Sequence, residues 1–192
     1  IPLLDSICRK HATDFVVYSG YENDDLCYYR TSYFSPDMFD YLMQRKKFLV
    51  EKWIELSSFH HLPVQVFTSL KCFAKGQQAE FLSLEIEDIL GLHSPPIQDP
   101  FDAEYSIIQA THPSASKGSV LQEVVKAASF KGPVIAAGDD NNDVGMLEAA
   151  HIKIAMADAP PRLLAIADII APPASENGLI EGLSKALERL LK

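Results

Sequence analysis

Positive charge is scarce in this 192-residue sequence: 17 Lys and Arg stand against 26 Asp and Glu, a formal net charge of −9. A nucleic-acid partner needs a basic footprint that displaces counterions, so the balance argues against one. A small phosphate ester needs only a local positive site, and it stays open. Cysteine is also sparse. Cys8, Cys27 and Cys72 are odd in number and far apart, with neither metal-ligand spacing nor a disulfide framework. They read as idle or buried thiols of a reducing compartment, which points to the cytoplasm. No run of about 18 apolar residues occurs, so no membrane span is expected. No signal peptide is visible. The adjacent pair His60-His61 does not share a helix face and has no third ligand at a metal spacing, so it is not read as a metal site. Nothing in the sequence assigns an oligomeric state.

What is present is ordinary for a globular chain: 47% hydrophobic and 22% charged residues, enough to bury a core. The length suits one domain or a core with a smaller companion. From the N-terminus, Leu3, Leu4, Ile7, Cys8 and His11 sit at helical spacing. Asp14 to Ser19 reads as a strand ending at Gly20, and Leu26 to Tyr29 as another. Ser35-Pro36 opens a helix whose apolar stripe runs over residues 36–57 and carries Arg45-Lys46-Lys47, a solvated face. Val64 to Leu70 alternates like a strand, Ala79 to Leu92 is helical, and Tyr105 to Ala110 is a strand. Beyond residue 112, strands and helices alternate, which argues for a parallel, doubly wound sheet.

Chemistry concentrates in Pro133 to Asp143. A short apolar run enters Gly138-Asp139-Asp140-Asn141-Asn142-Asp143, which packs three aspartates and two asparagines into six residues. Such a strand end is where open α/β sheets place ligands. Two readings compete. A solvated loop that caps the next helix would use Asp and Asn, and a hard-cation site would use their oxygens. Upstream, Ser116-Lys117-Gly118 opens a helix. A cation there opposes the helix dipole, unless it points at an anion that the helix N-terminus also attracts.

G-D-x-x-N-D after a buried strand, with Ser116-Lys117-Gly118 some twenty residues before it, resembles the third and fourth motifs of the haloacid dehalogenase superfamily. The sub-branch it resembles is the capped subclass IIB, the Cof-like and sucrose-phosphatase-like hydrolases. Ile154 to Pro160, Ala165 to Asp168 and Glu176 to Leu179 are similar to the family's closing segments in order and spacing. The resemblance is clear from about residue 112 to 184 and weak before it.

The resemblance implies an α/β fold: a haloacid-dehalogenase-like doubly wound parallel sheet, here an incomplete core, with an inserted α+β cap. It places residues 1–22 and 112–192 in the core and 23–111 in the cap. It implies Mg²⁺-dependent hydrolysis of a small phosphorylated metabolite, such as a sugar phosphate, through an aspartyl-phosphate. Asp139 would bind the metal, Lys117 and Asn142 the phosphate, and Asp143 would hold Lys117 or the metal waters. Two alignments of Ser19-Gly20 are possible. In one, Ser19 is the phosphate-binding hydroxyl of the second motif. In the other, Gly20 is the glycine at the exit into the cap. The family's D-x-D nucleophile motif is absent, and the chain starts at Ile1-Pro2 without Met. The expectation is therefore a piece or remnant of a longer protein, inactive by itself and marginally stable. The alternative is a remnant that folds, or binds Mg²⁺ or phosphate, without turnover.

Overall fold

The structure is a computed structural model and describes residues 1–191. Two compact units divide the chain, Ile1–Pro113 and Ser114 onward.

The first unit contains α1 (Pro2–Lys10), β1 (Phe15–Tyr18), β2 (Leu26–Tyr29), α2 (Pro36–Phe48), β3 (Lys52–Glu55), β4 (Ser69–Lys75), α3 (Gln77–Leu90), β5 (Pro96–Gln98) and β6 (Tyr105–Ala110). Its strands form one sheet in the order β3-β2-β1-β4-β6-β5. Only β2 and β3 pair in parallel. Alternation along the strands separates two apolar layers. Phe15, Val17, Cys72 and Ile108 face α1 and α3 through Leu4, Ile7, Leu82 and Ile86. Val16, Cys27, Phe73 and Ile107 face α2 through Met38, Tyr41 and Leu42. Local chemistry starts the helices. Pro2 and Pro36 occupy first-turn positions, and the Ser35 hydroxyl accepts from the Met38 amide at 3.4 Å.

The second unit contains α4 (Lys117–Ala127), β7 (Ile135–Gly138), α5 (Val144–Glu148), β8 (Ile152–Met156), α6 (Pro161–Ile166), β9 (Ile169–Ala171) and α7 (Gly178–Leu190). Its sheet, β7-β8-β9, is parallel throughout. Ala136 and Ala155 pack under Val144, Leu147 and Leu163 of α5 and α6. Ile152, Ile154, Met156 and Ile169 pack on the opposite face with Ala186 of α7. Helices on both faces of a parallel sheet make this unit doubly wound, as expected. Gly182 permits the close seat of α7, since a Cβ there would lie 2.7 Å from Ile154 Cγ2.

Three expectations change. Residues 1–22 were grouped with 112–192. Instead β1 is hydrogen-bonded between β2 and β4, and α1 covers the same sheet, so these residues lie in the first unit. The helix expected over 36–57 ends at Phe48. Leu49 turns extended, and Trp53 pairs with Cys27 in the sheet while its ring meets Tyr29 edge-on, with centroids 5.4 Å apart. The strand expected over Val64 to Leu70 begins only at Ser69 and runs to Lys75, because Leu70, Cys72 and Ala74 reach the core on the α1 and α3 side and Phe73 reaches it on the α2 side. Among the described residues, no helix is long and apolar enough to cross a membrane.

Candidate active site

The site grows from the end of β7. Gly138 is required there because a Cβ would lie 2.4 Å from Cβ of Asp143, which folds back beneath the strand end. The Asp143 side chain is buried. Its Oδ2 accepts the backbone N–H groups of Asp139 at 3.1 Å and Asp140 at 3.3 Å. Asp140 caps the short 3₁₀ turn Asn141–Asp143 and accepts from the Asn141 amide at 2.6 Å. The capping reading is met within the turn itself. Asp140 and Asp143 build the turn, whereas Asp139 is exposed. Among the described residues, no hydrogen bond or ion pair engages its carboxylate.

Lys117 comes from the neighbouring helix. Its Nζ lies 2.5 Å from Asp143 Oδ1 and 3.4 Å from Asn142 Oδ1. Ser116 caps α4, its hydroxyl accepting from the Ser119 amide at 3.2 Å. Gly118 then lets α4 touch α5, because a Cβ there would stand 2.5 Å from the Gly145 carbonyl oxygen. Lys117, Asp139, Asn142 and Asp143 therefore occupy one end of one unit. Sequence reasoning gave no role to Asp140 or Gly118. The signals were there: Asp140 precedes a turn, and Gly118 sits inside a helix, where glycine is costly without a packing reason.

Does this turn suit Mg²⁺? No group of three or more His, Cys, Asp or Glu converges among the described residues. Mg²⁺ keeps several waters and is commonly held by one or two carboxylates plus substrate phosphate. The free Asp139 carboxylate fits one such ligand. Asp143 is engaged by Lys117 and two amides, and suits orientation better than coordination.

Ser19 lies in the first unit, at the turn between β1 and β2. Its hydroxyl donates to the Asn23 carbonyl and accepts from the Leu26 amide, both at 2.8 Å. His60 and His61 lie in a 3₁₀ turn, and the Ser57 hydroxyl meets His61 Nδ1 at 3.1 Å.

An acidic turn at a parallel strand's carboxyl end, braced by a lysine from the adjacent helix, lies where open α/β sheets place ligands. The sequence matches the family of haloacid dehalogenase-like hydrolases over residues 3–183, and the chain belongs to that family. It is 36% identical over 78 residues to a phosphoglycolate phosphatase of Sulfurisphaera tokodaii, covering 41% of this chain and 33% of that protein. It is 33% identical over 102 residues to a phosphoglycolate phosphatase of Methanoculleus marisnigri, covering 53% and 43%. The chain thus spans less than half the length of these curated relatives. Its fold is similar to that of a Streptococcus mutans protein, with TM-score 0.70 at 22% identity over 92% of this chain and 62% of that one. It is also similar to a haloacid dehalogenase subclass IIB sugar phosphatase, with TM-score 0.66 at 17% identity over 98% and 64%.

Proposed function

We propose that this chain is part of a Mg²⁺-dependent phosphatase for small phosphate monoesters. The second unit would be part of its catalytic core and the first its cap. The observation that carries this reading is the Lys117–Asp143 pair set beside the free Asp139 carboxylate. The family membership, and the phosphatase names of the relatives, support it.

Phosphoryl transfer asks a protein mainly to position groups and neutralise charge. Lys117 would do so at the phosphoryl oxygens. Asp143 holds its ammonium in place and leaves other N–H donors for the ligand. Asn142 accepts from Lys117 through Oδ1, and its amide NH₂ would donate to the phosphate. Asp139 would hold Mg²⁺, whose bound charge offsets that of the phosphoryl group. The attacking aspartate, which would form an aspartyl-phosphate, is assigned to a part of the protein outside this chain. Ser19 is left out, because its hydroxyl is spent within its own turn. The first substrates to try are 2-phosphoglycolate, from the relatives' names, and a hexose phosphate, from the structural neighbour's.

The test is hydrolysis by the protein made from its whole coding sequence. Turnover should need Mg²⁺ and fall about 10²–10³-fold in Lys117→Ala, as when a transition-state donor is removed, with a comparable loss in Asp139→Asn. Turnover indifferent to Mg²⁺ or to both substitutions would overturn the assignment. A folded protein without turnover would favour a non-catalytic relative that only binds Mg²⁺ or phosphate.

A further inference from the structure

Cys8 of α1 and Cys72 of β4 stand 64 residues apart in the chain, yet their sulfur atoms lie 3.6 Å apart and share a hydrogen bond. Both thiols are fully buried. They belong to the apolar layer that α1 and α3 form with the first unit's sheet, among Leu4, Phe15, Leu82 and Ile108. The third cysteine, Cys27, is buried in the other layer, on the α2 side of the same sheet. Strand alternation sets this division. Cys72 pairs with Phe15 and Cys27 with Tyr18, three positions apart on β1 and so on opposite faces. A thiol is only a weak donor and acceptor, so as thiols the pair adds little beyond apolar packing. What sets it apart is covalent chemistry. A disulfide is about 2.05 Å long, so the two sulfurs need to close by about 1.5 Å to bond.

We propose that Cys8 and Cys72 form a redox-sensitive staple, in which hydrogen peroxide oxidises the two thiols to a disulfide that ties α1 to β4. One sulfur attacks a peroxide oxygen, the O–O bond breaks, and a sulfenic acid and one water form. The second sulfur attacks the sulfenic sulfur, the S–S bond forms, and the hydroxyl leaves as a second water. The two thiols give up two electrons and two protons, and the peroxide takes up both. The hydrogen bond with Cys72, and then burial, push the Cys8 thiol above its ordinary pKa. Neither sulfur is open to solvent. Oxidation therefore waits on a local opening in which α1 lifts from the sheet. Once formed, the bond closes that opening. It also links residues that are 64 positions apart in the unfolded chain, which restricts the unfolded state and stabilises the first unit. In a reducing compartment the thiol pool returns the pair to the dithiol. The staple lies wholly within the first unit and is independent of the function proposed above.

The test is a non-reducing tryptic map of the protein made from its whole coding sequence, before and after hydrogen peroxide. Each cysteine falls on its own peptide: Cys8 on the one that ends at Arg9, Cys27 on His11–Arg30 and Cys72 on Cys72–Lys75. Peroxide should join the first and the last, dithiothreitol should release them, and Cys27 should remain a free thiol. Trp53, the single tryptophan of this sequence, lies in the first unit, so its fluorescence follows the melting of that unit. The melt should rise by about 5–20 °C on oxidation and fall back on reduction. Cys8→Ala and Cys72→Ala should each abolish both the link and the rise. Where either variant fails to fold, the reduced and oxidised forms of the unaltered protein still supply the comparison. A native melt without linked peptides, links that include Cys27 as often as not, a sulfinic acid at Cys8 or Cys72 in place of the link, or a link without a rise in the melt would each overturn the staple.

Discussion

Gly118 and Gly145 meet where α4 touches α5, and their tolerance of a side chain is unequal. A Cβ on Gly118 would stand 2.5 Å from the Gly145 carbonyl oxygen, against backbone that cannot rotate away. A Cβ on Gly145 would find its nearest neighbours at 3.8 and 4.0 Å, ordinary contacts. Gly118→Ala should therefore cost about 1–3 kcal/mol, as forced overpacking does. It should also disturb Lys117, the preceding residue. Gly145→Ala should be neutral or stabilising by up to about 1 kcal/mol, since alanine favours the helix. Urea unfolding of the two variants checks the asymmetry. Equal effects would mean that the helices do not approach this closely.

Asp143 should matter more for stability than the lysine it holds. Its carboxylate is buried and accepts two backbone amides in addition to Lys117, whose own side chain is half exposed. Asp143→Ala leaves those amides without their acceptor and should cost about 1–3 kcal/mol. Lys117→Met removes a half-solvated pair and should cost about 0–1 kcal/mol. Denaturant midpoints at constant m-value separate the two. A larger loss for Lys117→Met would invert the roles assigned here.

The acidic turn was legible as a candidate site because the residues that build it lie together in the sequence. Gly138, Asp139, Asn142 and Asp143 are neighbours in sequence, and Lys117 opens the next helix over. Strands such as Tyr105–Ala110, with apolar residues bounded by turns, were equally plain. The first unit was harder because tertiary pairing decided it. Lys71 and Lys75 interrupt the hydrophobic signal of β4, and their ammonium groups lie over the rings of Tyr18 and Tyr105. Trp53 fits a helical stripe as well as a strand, and only its partners Cys27 and Tyr29 choose the strand. Residues 1–22 join the sheet through hydrogen bonds to Ser69–Cys72, about fifty residues away, which no local pattern announces.

Acid should weaken the contact between α1 and α3. His11 Nε2 lies 2.8 Å and Lys10 Nζ 2.9 Å from Oε2 of Glu85. The hydrogen bond with His11, and then that from Lys10, holds the Glu85 carboxyl below its ordinary value of 4.5. A carboxyl lowered in the folded state contributes stability above its unfolded pKa, and that contribution is lost as pH falls through the folded one. Glu85→Gln should thus lower stability at pH 6–7 and flatten the decline below pH 4.5. Melting temperatures across pH 3–7 check it. Parallel profiles for the two proteins would show that Glu85 is not linked to folding.

The turn after Ser19 provides the sharpest packing test. Gly20 has φ +83°, and a Cβ there would lie 2.2 Å from Cγ2 of Thr68, whose hydroxyl donates to the Tyr18 carbonyl at 3.1 Å. Gly91 also has positive φ, +63°, but nothing lies within 4 Å of its missing Cβ. Gly91→Ala should therefore show the conformational cost alone, about 1–2 kcal/mol. Gly20→Ala should add a steric cost and exceed it. Thr68→Ser removes the clashing methyl and keeps the hydroxyl, so it should restore part of the loss in the Gly20→Ala background. The remaining side-chain atoms of Thr68 lie 3.2 and 3.3 Å from the new Cβ, so relief is incomplete. Thermal unfolding of the double-mutant cycle measures that coupling. Strict additivity would mean that the Ser19–Gly20 turn does not pack on Thr68. It would also reopen Ser19 as a hydroxyl free to meet a ligand.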